Sequence, residues 1–322
     1  MKLKLLINPL CKGAYFADVL AVTQAELQCI YPNINIGISK IGSLNFIDID
    51  AFEKEQISMR QLSRLSFVQG ILEQREHNVV SIVDVQPKFK LPEEIVWGNK
   101  YRGKTNEIVT QLAINIGLHH APIDRKTSTN KNIKLLDPMA GRGTTLLWAN
   151  RYGLDAVGIE KNRDALDHFC RHVKGQCKLH RIKHKYIQGN IGKKNKASTG
   201  AFHEIQWEHC RSKIIIGDSS KMTLLSDRFD LIVCDIPYGI QFFGKGNQRN
   251  PLQLIKECAP NWIDRLYPEG IVVIVFNSFQ PKRTDLIDVF EKLKLEYIDF
   301  QAPHRMSESI KRDIVIFKKI SP

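Results

Sequence analysis

The chain has 322 residues, of which 43% are hydrophobic, and its formal net charge is +13. This length is enough for two domains and a sizeable core. No apolar run reaches the roughly 18 residues that a membrane span needs, and the opening segment breaks at Asn8-Pro9 before a signal-peptide core could form. The 7 cysteines form no CxxC pair, which argues against a disulfide framework. We therefore expect a cytoplasmic protein with reduced thiols.

Residues 1–95 predict a small α+β domain of their own. Short apolar segments within KLKLLI, INIGIS and NFIDI predict three strands, and the polar stretch from about Glu53 to Glu73 predicts an amphipathic helix. The extended segment VQPKFKLPEE ends this part of the chain.

A different pattern begins at residue 96, where apolar strands alternate with helices. After a helix capped by Thr105 or Asn106, the chain continues with IKLLD, GTTLLWANRYG, DAVGIE, RDALDHFCRHVKG, SKIIIGD, FDLIVCD and GIVVIVFN. Continuously apolar strands separated by helices predict an α/β fold with a doubly wound, mostly parallel sheet. The last segments, LEYIDF and RDIVIFKK, leave no room for a helix between them and predict an antiparallel C-terminal hairpin.

Positive charge is concentrated between Lys161 and Gly200. This stretch holds 11 Lys or Arg against Asp164 and Asp167, so it carries +9 of the net charge. We interpret residues of about 175–213 as a basic insertion in the larger domain. Clustered cations of this density favour an anionic polymer as partner, and nucleic acid first of all.

The same region is rich in histidine and cysteine. The segment HFCRHVKGQCKLHRIKH contains Cys170, His172, Cys177, His180 and His184, but their spacing matches no standard zinc module. We predict packing and surface roles for these side chains, and no metal.

Acidic residues follow three successive predicted strands. Asp137 ends IKLLD, Glu160 ends DAVGIE and Asp218 ends SKIIIGD. Gly141 and Gly143 then permit a tight turn into a helix N-terminus, as glycines also do in nicotinamide and flavin sites. A carboxylate at the first strand's end would repel a pyrophosphate and attract the ammonium and sulfonium groups of S-adenosylmethionine. Glu160 suits ribose hydroxyls, and Asp218 suits the adenine amino group.

Two motifs carry a resemblance to a known superfamily. DPMAGRGTT resembles the cofactor loop of Rossmann-like S-adenosylmethionine-dependent methyltransferases, and DIPYG resembles the signature of those that methylate exocyclic amines. Over residues of about 98–319 the chain is most similar to the tRNA guanine-N2 methyltransferases of the guanosine-10 type and their bacterial relatives, which carry an element like YRGKTNE. The cofactor-binding residues that motif and resemblance together indicate are Thr105, Asp137, Pro138, Ala140, Gly141, Gly143, Thr144, Glu160, Lys161, Asp218, Ser219 and Asp235.

The catalytic residues indicated by DIPYG are Asp235, Ile236, Pro237 and Tyr238. An exocyclic amine is a poor nucleophile, because its lone pair is delocalised into the ring. Asp235 and the Ile236 carbonyl would accept its N–H groups and direct the lone pair, while Pro237 stiffens the turn. Tyr238 would stack on the extruded or single-stranded base.

Several functions are compatible with these motifs. The first is methylation of guanine N2 in tRNA. An adenine N6 methyltransferase of DNA or rRNA, an amine methyltransferase of a protein or small molecule, and an RNA-binding module with a vestigial cofactor site are the alternatives. About 95 residues are too few for both the ferredoxin-like and the THUMP domain of the tRNA enzymes. A contribution of the N-terminal domain to substrate or RNA binding therefore stays open.

Overall fold

The computed structural model describes residues 2–9, 18–50, 57–75, 79–100, 106–122, 132–191, 200–221, 225–237 and 250–321. The chain divides into two compact units. The first comprises Met1–Lys88 with Phe300–Ile314, and the second Phe89–Asp299 with Val315–Pro322. The domain boundary near residue 95 stays a prediction. None of the helices in the described part of the chain has the length and apolar character needed to cross a bilayer.

The first unit contains a five-stranded sheet. Its elements up to Lys88 are β1 (Lys2–Ile7), α1 (Val19–Ile30), β2 (Asn35–Ile41), β3 (Leu44–Asp50), α2 (Met59–Leu62), β4 (Val68–Gln74) and β5 (Val80–Ile82). The strand order is β2-β3-β1-β4-β5, with every pair antiparallel. The central strand β1 buries Leu3, Leu5 and Ile7 on one face. On the other face, the Lys4 ammonium lies 2.8 Å from an oxygen of Asp48.

The helix predicted from Glu53 to Glu73 is wrong over most of the described part of that range. Only α2 is helical, and residues 68–74 form β4, which pairs with β1. The segment VQGILEQ holds its apolar residues at spacings that suit either a short helix or a strand, and pairing with β1 decides between them. Leu5 faces Ile71 in this pairing, and both side chains are buried.

The remaining elements combine helices with strands, and the four strands between residues 185 and 235 follow one another without an assigned helix between them in the described residues. They are α3 (Glu94–Trp97), α4 (Glu107–His120), β6 (Lys134–Asp137), α5 (Thr144–Arg151), β7 (Asp155–Glu160), α6 (Arg163–Leu179), β8 (Lys185–Asn190), β9 (Ala201–Gln206), β10 (Arg211–Ile216), β11 (Phe229–Asp235), α7 (Pro251–Asp264), β12 (Leu266–Asn277), α8 (Arg283–Lys292), β13 (Leu295–Ile298), β14 (His304–Ser307) and β15 (Ile310–Lys319).

These strands form a large mixed sheet in the order β13-β15-β12-β11-β6-β7-β10-β9-β8, with β14 paired to β15. The central strands β12, β11, β6, β7 and β10 are parallel, which confirms the predicted fold class. The antiparallel pairing of β13 with β15 confirms the C-terminal hairpin. Burial of β11 along almost its whole length explains its uninterrupted apolar run from Leu231 to Cys234.

The predicted basic insertion adds a second hairpin at the opposite edge of this sheet. β8 pairs antiparallel with β9, and β9 pairs antiparallel with β10. β8 therefore runs in the same direction as β10 and is the edge strand of the sheet.

Candidate active site

Four carboxylates lie at the carboxyl ends of neighbouring strands. Asp137 is the last residue of β6, Glu160 of β7 and Asp235 of β11, while Asp218 follows β10 by two residues. These strands are adjacent and parallel in the order β11-β6-β7-β10. The register therefore brings all four residues to one edge of the sheet. In doubly wound sheets this edge is where ligands bind.

The turn after β6 is built by two glycines with positive φ. Gly141 has φ +52° and Gly143 has φ +81°, a region that side-chain-bearing residues rarely adopt. A Cβ at Gly143 would lie 2.4 Å from Cδ2 of Phe169, whereas a Cβ at Gly141 would meet nothing within 4 Å. Gly143 is thus required by backbone and packing together. Gly141 leaves open space beside the loop.

Close packing against β7 fixes the same turn. The amide of Ala140 donates to the carbonyl of Ile159 at 2.9 Å, and the amide of Gly143 donates to the carbonyl of Ala140 at 2.7 Å. A Cβ at Gly158 would lie 2.6 Å from Cβ of Ala140, so this strand position also has to be glycine. The buried side chains of Pro138 and Thr144 flank the turn.

Asp137 is the most buried of the four acids, with 2% of its surface exposed. Its Oδ1 accepts the amide of Met139 at 3.0 Å. Burial raises the pKa of Asp137 to about 7; hydrogen bonds from Thr145 and Met139 oppose this rise, and the nearby charge of Glu160 adds to it. Within the described ranges no Lys or Arg forms an ion pair with this carboxylate. The site therefore holds a buried anion that a cationic ligand would stabilise.

Glu160 links the loop to the next helix. Its Oε2 accepts the amide of Gly141 at 2.8 Å, and its Oε1 accepts the amide of Asn162 at 2.7 Å. Burial raises its pKa, against these backbone hydrogen bonds and the charge of Lys161. A third backbone hydrogen bond comes from Lys161. These three bonds do not fill the roughly four acceptor positions of a carboxylate, so Glu160 can still accept a hydrogen bond from a hydroxyl group of a ligand.

Asp218 lies in a polar turn held by α7. Its Oδ1 accepts from the amide and the hydroxyl of Ser220, and its Oδ2 lies 3.1 Å from the ammonium of Lys161. Partial burial works against ionisation, but these hydrogen bonds and Lys161 prevail and lower the pKa of Asp218. The indole N–H of Trp262 donates to the carbonyl of Ser219 at 3.2 Å. The hydroxyl of Ser219 points to Sγ of Cys258 at 3.7 Å.

The end of β11 presents Asp235 half-buried, directly followed by Ile236 and Pro237. The amide of Ile236 donates to the carbonyl of Val275 at 2.9 Å, so pairing with β12 continues one residue past Asp235. This bond and the fixed φ of Pro237 hold the strand end rigidly. Tyr238 and Thr105 lie outside the described residues.

Sequence reasoning missed Asn99, which is 1% exposed. Its Nδ2 donates to the carbonyl of Arg142 at 3.2 Å, so it holds the glycine turn from a segment 43 residues earlier in the chain. Thr145 and Trp262 were missed as well, although each contacts a predicted site residue. Thr145 is the last residue of the motif DPMAGRGTT, which could have indicated it. The bonds of Asn99 and Trp262 join distant segments of the chain, which leaves no local pattern in the sequence.

Several members of the His/Cys segment have structural partners. His172 Nε2 lies 2.7 Å from the carbonyl of Ile95, and His184 Nδ1 lies 3.0 Å from the carbonyl of Ile182. The indole of Trp207 donates to Sγ of Cys177 at 3.4 Å. The packing roles that we predicted for these side chains agree with these contacts.

Comparison with solved structures identifies the fold. The crystal structure of TrmN from Thermus thermophilus matches with a TM-score of 0.51 at 9% identity, covering 99% of this chain and 99% of that one. The putative RNA methyltransferase PH1948 from Pyrococcus horikoshii matches with a TM-score of 0.40 at 16% identity, covering 74% and 95%. Magnesium protoporphyrin IX methyltransferase (ChlM) from Synechocystis PCC 6803, with bound SAM, matches with a TM-score of 0.39 at 12% identity, covering 69% and 88%.

Comparison with curated proteins gives no match. The family model UPF0020, described as "RMKL-like, methyltransferase domain", matches residues 123–296 and so covers more than half of the chain. The matched residues include the glycine turn and the carboxylates at the ends of β6, β7, β10 and β11. The chain therefore belongs to the UPF0020 family of RMKL-like methyltransferase domains.

Proposed function

We propose that the enzyme methylates an exocyclic amine of a nucleobase in RNA, with guanine N2 of tRNA as the first candidate. The observation that carries this proposal is the register that places Asp235, with Ile236 and Pro237 behind it, at the same sheet edge as Asp137 and Glu160. The residues that would orient the amine therefore lie next to the residues that would bind the cofactor. We call the turn after β11 the amine-orienting corner.

The residues of this edge suit S-adenosylmethionine, which supplies an electrophilic methyl group when bound. We assign to the buried carboxylate of Asp137 the cationic end of the cofactor, because it has no ion-pair partner within the described ranges. Glu160 would accept hydrogen bonds from the ribose hydroxyls, and Asp218 with Ser219 would contact the adenine. The open space beside Gly141 allows close approach of the ligand to the backbone.

We assign the substrate amine to the corner after β11. The carboxylate of Asp235 and the carbonyl of Ile236 would each accept one N–H of the amine, so that its lone pair points towards the methyl group. The hydrogen bond from the Ile236 amide to Val275 holds the backbone from which both acceptors project. Tyr238 completes the assignment as the ring on which the base stacks.

The choice of a nucleic acid as substrate rests on charge. The net charge is +13, and +9 of it lies between Lys161 and Gly200, next to the cofactor-binding elements. Such a concentration suits phosphates better than a neutral small-molecule amine. The resemblance of DIPYG and its surroundings to the tRNA enzymes selects tRNA and guanine.

Nucleoside mass spectrometry of a deletion strain tests this function. We expect N2-methylguanosine to be lost from tRNA, to return with the wild-type gene and to stay absent with Asp235→Asn. Purified Asp235→Asn should bind S-adenosylmethionine within about threefold of wild type, while kcat falls by about 100-fold or more. Asp264→Asn, an exposed acid of α7, is the matched control and should restore the nucleoside.

Other results would redirect or overturn the assignment. Loss of N6-methyladenosine instead of N2-methylguanosine would move the substrate to adenine. An unchanged nucleoside profile would exclude a nucleic-acid substrate. Full turnover by Asp235→Asn would remove the proposed amine-orienting corner.

A further inference from the structure

A cationic surface lies at the end of α6 and the start of β8. Lys178, Arg181, Lys183 and Lys185 are all exposed, and we call these four residues the basic surface. The sequence from 171 to 190 contains no acidic residue. Among the described residues none of the four forms an ion pair, in contrast to Lys161, Lys134 and Arg211 elsewhere in this unit. The positive charge of the basic surface is thus available to a partner.

Arg181 occupies a backbone conformation that favours glycine. Its φ is +53°, and it follows His180 at the end of α6. Its amide donates to the carbonyl of Lys178 at 3.3 Å, and the amide of Ile182 donates to the carbonyl of Cys177 at 2.8 Å. These two bonds form a Schellman motif, in which glycine is the usual residue at the position of Arg181. Any residue with a Cβ costs stability here relative to glycine, and residues that cost stability cluster at functional sites.

The basic surface is remote from the reacting edge of the sheet. Helix α6 begins beside Glu160, because the amide of its cap Asn162 donates to that carboxylate. It then continues for 17 residues, a length of about 25 Å. Lys185 is the first residue of β8 and pairs with Gln206. Because β8 runs in the same direction as β10, its first residue lies at the end of the strands opposite to the carboxylates. A partner bound here and reacting at Asp235 has to extend over roughly this distance.

We propose that the basic surface binds backbone phosphates of a structured RNA substrate, at about 25 Å or more from the base that is methylated. This inference rests on the proposed function, and it adds where the RNA is held. An acidic protein would be the other polyanion, but protein interfaces have cores depleted in lysine and built on apolar anchors. Beside these cations Leu179 is a large apolar side chain with 71% exposure. One such side chain does not make up the apolar core of a protein interface.

The test compares two substitutions at equivalent backbone positions. Lys294 has φ +62° and follows Leu293 at the end of α8, and its amide donates to the carbonyl of Glu291. Arg181→Gly and Lys294→Gly each remove one exposed cation and relieve one left-handed residue. Both variants should therefore raise Tm, by about 2 °C. A loss of binding that accompanies a gain in stability cannot come from misfolding.

Binding is measured by fluorescence anisotropy with labelled bulk tRNA from the deletion strain, at salt concentrations from 50 to 300 mM. We expect Arg181→Gly to weaken binding about five- to tenfold at 0.1 M salt and to reduce the slope of log K against log salt by about 1. Lys178→Glu/Arg181→Gly should lower affinity and slope further. Lys294→Gly should stay within twofold of wild type, and all variants should keep the wild-type affinity for S-adenosylmethionine.

The outcomes separate this inference from the proposed function. If wild-type protein binds tRNA and Arg181→Gly and Lys178→Glu/Arg181→Gly both keep the wild-type affinity and slope, the basic surface is not the RNA contact, while the function tested through Asp235 stands. If the variants lose affinity but the nucleoside profile of the deletion strain is unchanged, the surface binds RNA and the proposed reaction is wrong. Weakening of an acidic-peptide probe, with tRNA binding unaffected, would assign the surface to a protein partner and overturn the inference.

Discussion

At the scale of single residues, two glycines of the cofactor turn differ in what they tolerate. Gly143 combines φ +81° with a Cβ position 2.4 Å from Phe169, whereas Gly141 combines φ +52° with open space. We expect Gly143→Ala to lower the free energy of unfolding by about 2–4 kcal/mol, because backbone strain and overpacking add. Gly141→Ala should cost about 1 kcal/mol, from backbone strain alone. Urea unfolding of both variants measures the difference.

A third glycine provides the control for this comparison. Gly175 lies inside α6, and a Cβ there would meet nothing within 4 Å. Gly175→Ala should stabilise the protein by about 0.5–1 kcal/mol, because alanine is the better helix former. Equal losses at Gly141 and Gly143 would contradict the role assigned to Phe169.

The raised pKa of Asp137 predicts a pH dependence of stability. Burial moves this pKa from 3.8 to about 7 in the folded protein. Between these values the native state holds a proton that the unfolded chain has released, so stability falls as the pH rises from about 4 to 7. We expect the free energy of unfolding to decrease by about 1–4 kcal/mol over this window through Asp137.

Asp137→Asn isolates this contribution, because the amide is neutral at every pH and has nearly the same shape. Its unfolding free energy should vary less between pH 4 and 7 than that of wild type, and its cofactor affinity should be lost. Cofactor affinity of the wild type should rise as the pH increases through about 7, since the ionised carboxylate attracts a cation. Parallel pH profiles of the two proteins would show that Asp137 does not titrate in this range.

At the scale of elements, the stability of α4 depends on its N-cap residue. Asn106 caps the helix, and its Oδ1 accepts the amides of Ile108 at 2.9 Å and Val109 at 3.2 Å. Most of α4 between Ile108 and Gly117 is buried. We expect Asn106→Ala to cost about 1 kcal/mol, measured by urea unfolding, and Asn106→Asp to retain most of that stability. A loss as large in the aspartate variant would mean that the cap contributes through its amide nitrogen.

The elements also show what the sequence can reveal. Strands of the central parallel sheet were predictable, because β11 is buried along almost its whole length and carries the uninterrupted apolar run Leu231–Cys234. The strand β4 was not predictable, because VQGILEQ is short and its apolar residues fit the period of a helix almost as well as that of a strand. The cap of α4 was one of the two residues proposed, and the hydrogen bonds of Asn106 select it.

The residues of the candidate site also include some that the sequence reveals and some that it does not. Carboxylates at strand ends are visible in the sequence, because parallel strands share one functional edge. Asn99 was invisible, since its bond to Arg142 joins segments 43 residues apart. Arg181 was visible only as one charge among many. Its backbone angle, which distinguishes it from the other three cations of the basic surface, is a property of the folded helix end.

At the scale of the whole molecule, positive charge and apolar segments lie in different parts of the chain. The net charge of +13 is concentrated in the stretch that builds α6, β8 and their surroundings, while the apolar segments build the centre of the sheet. Fold class was therefore predictable from apolar periodicity, and the class of partner from charge. The return of Phe300–Ile314 to the first unit had no counterpart in the sequence pattern, because it depends on contacts between distant parts of the chain.

That return constrains the order in which the protein can be completed during synthesis. Met1–Lys88 is translated before Phe300–Ile314, and the whole of Phe89–Asp299 lies between these two parts of the first unit. At about 5–20 residues per second, roughly 10–40 s separate their synthesis. During this interval the five-stranded sheet can already pair, but the contacts that Phe300–Ile314 adds to this unit cannot yet form.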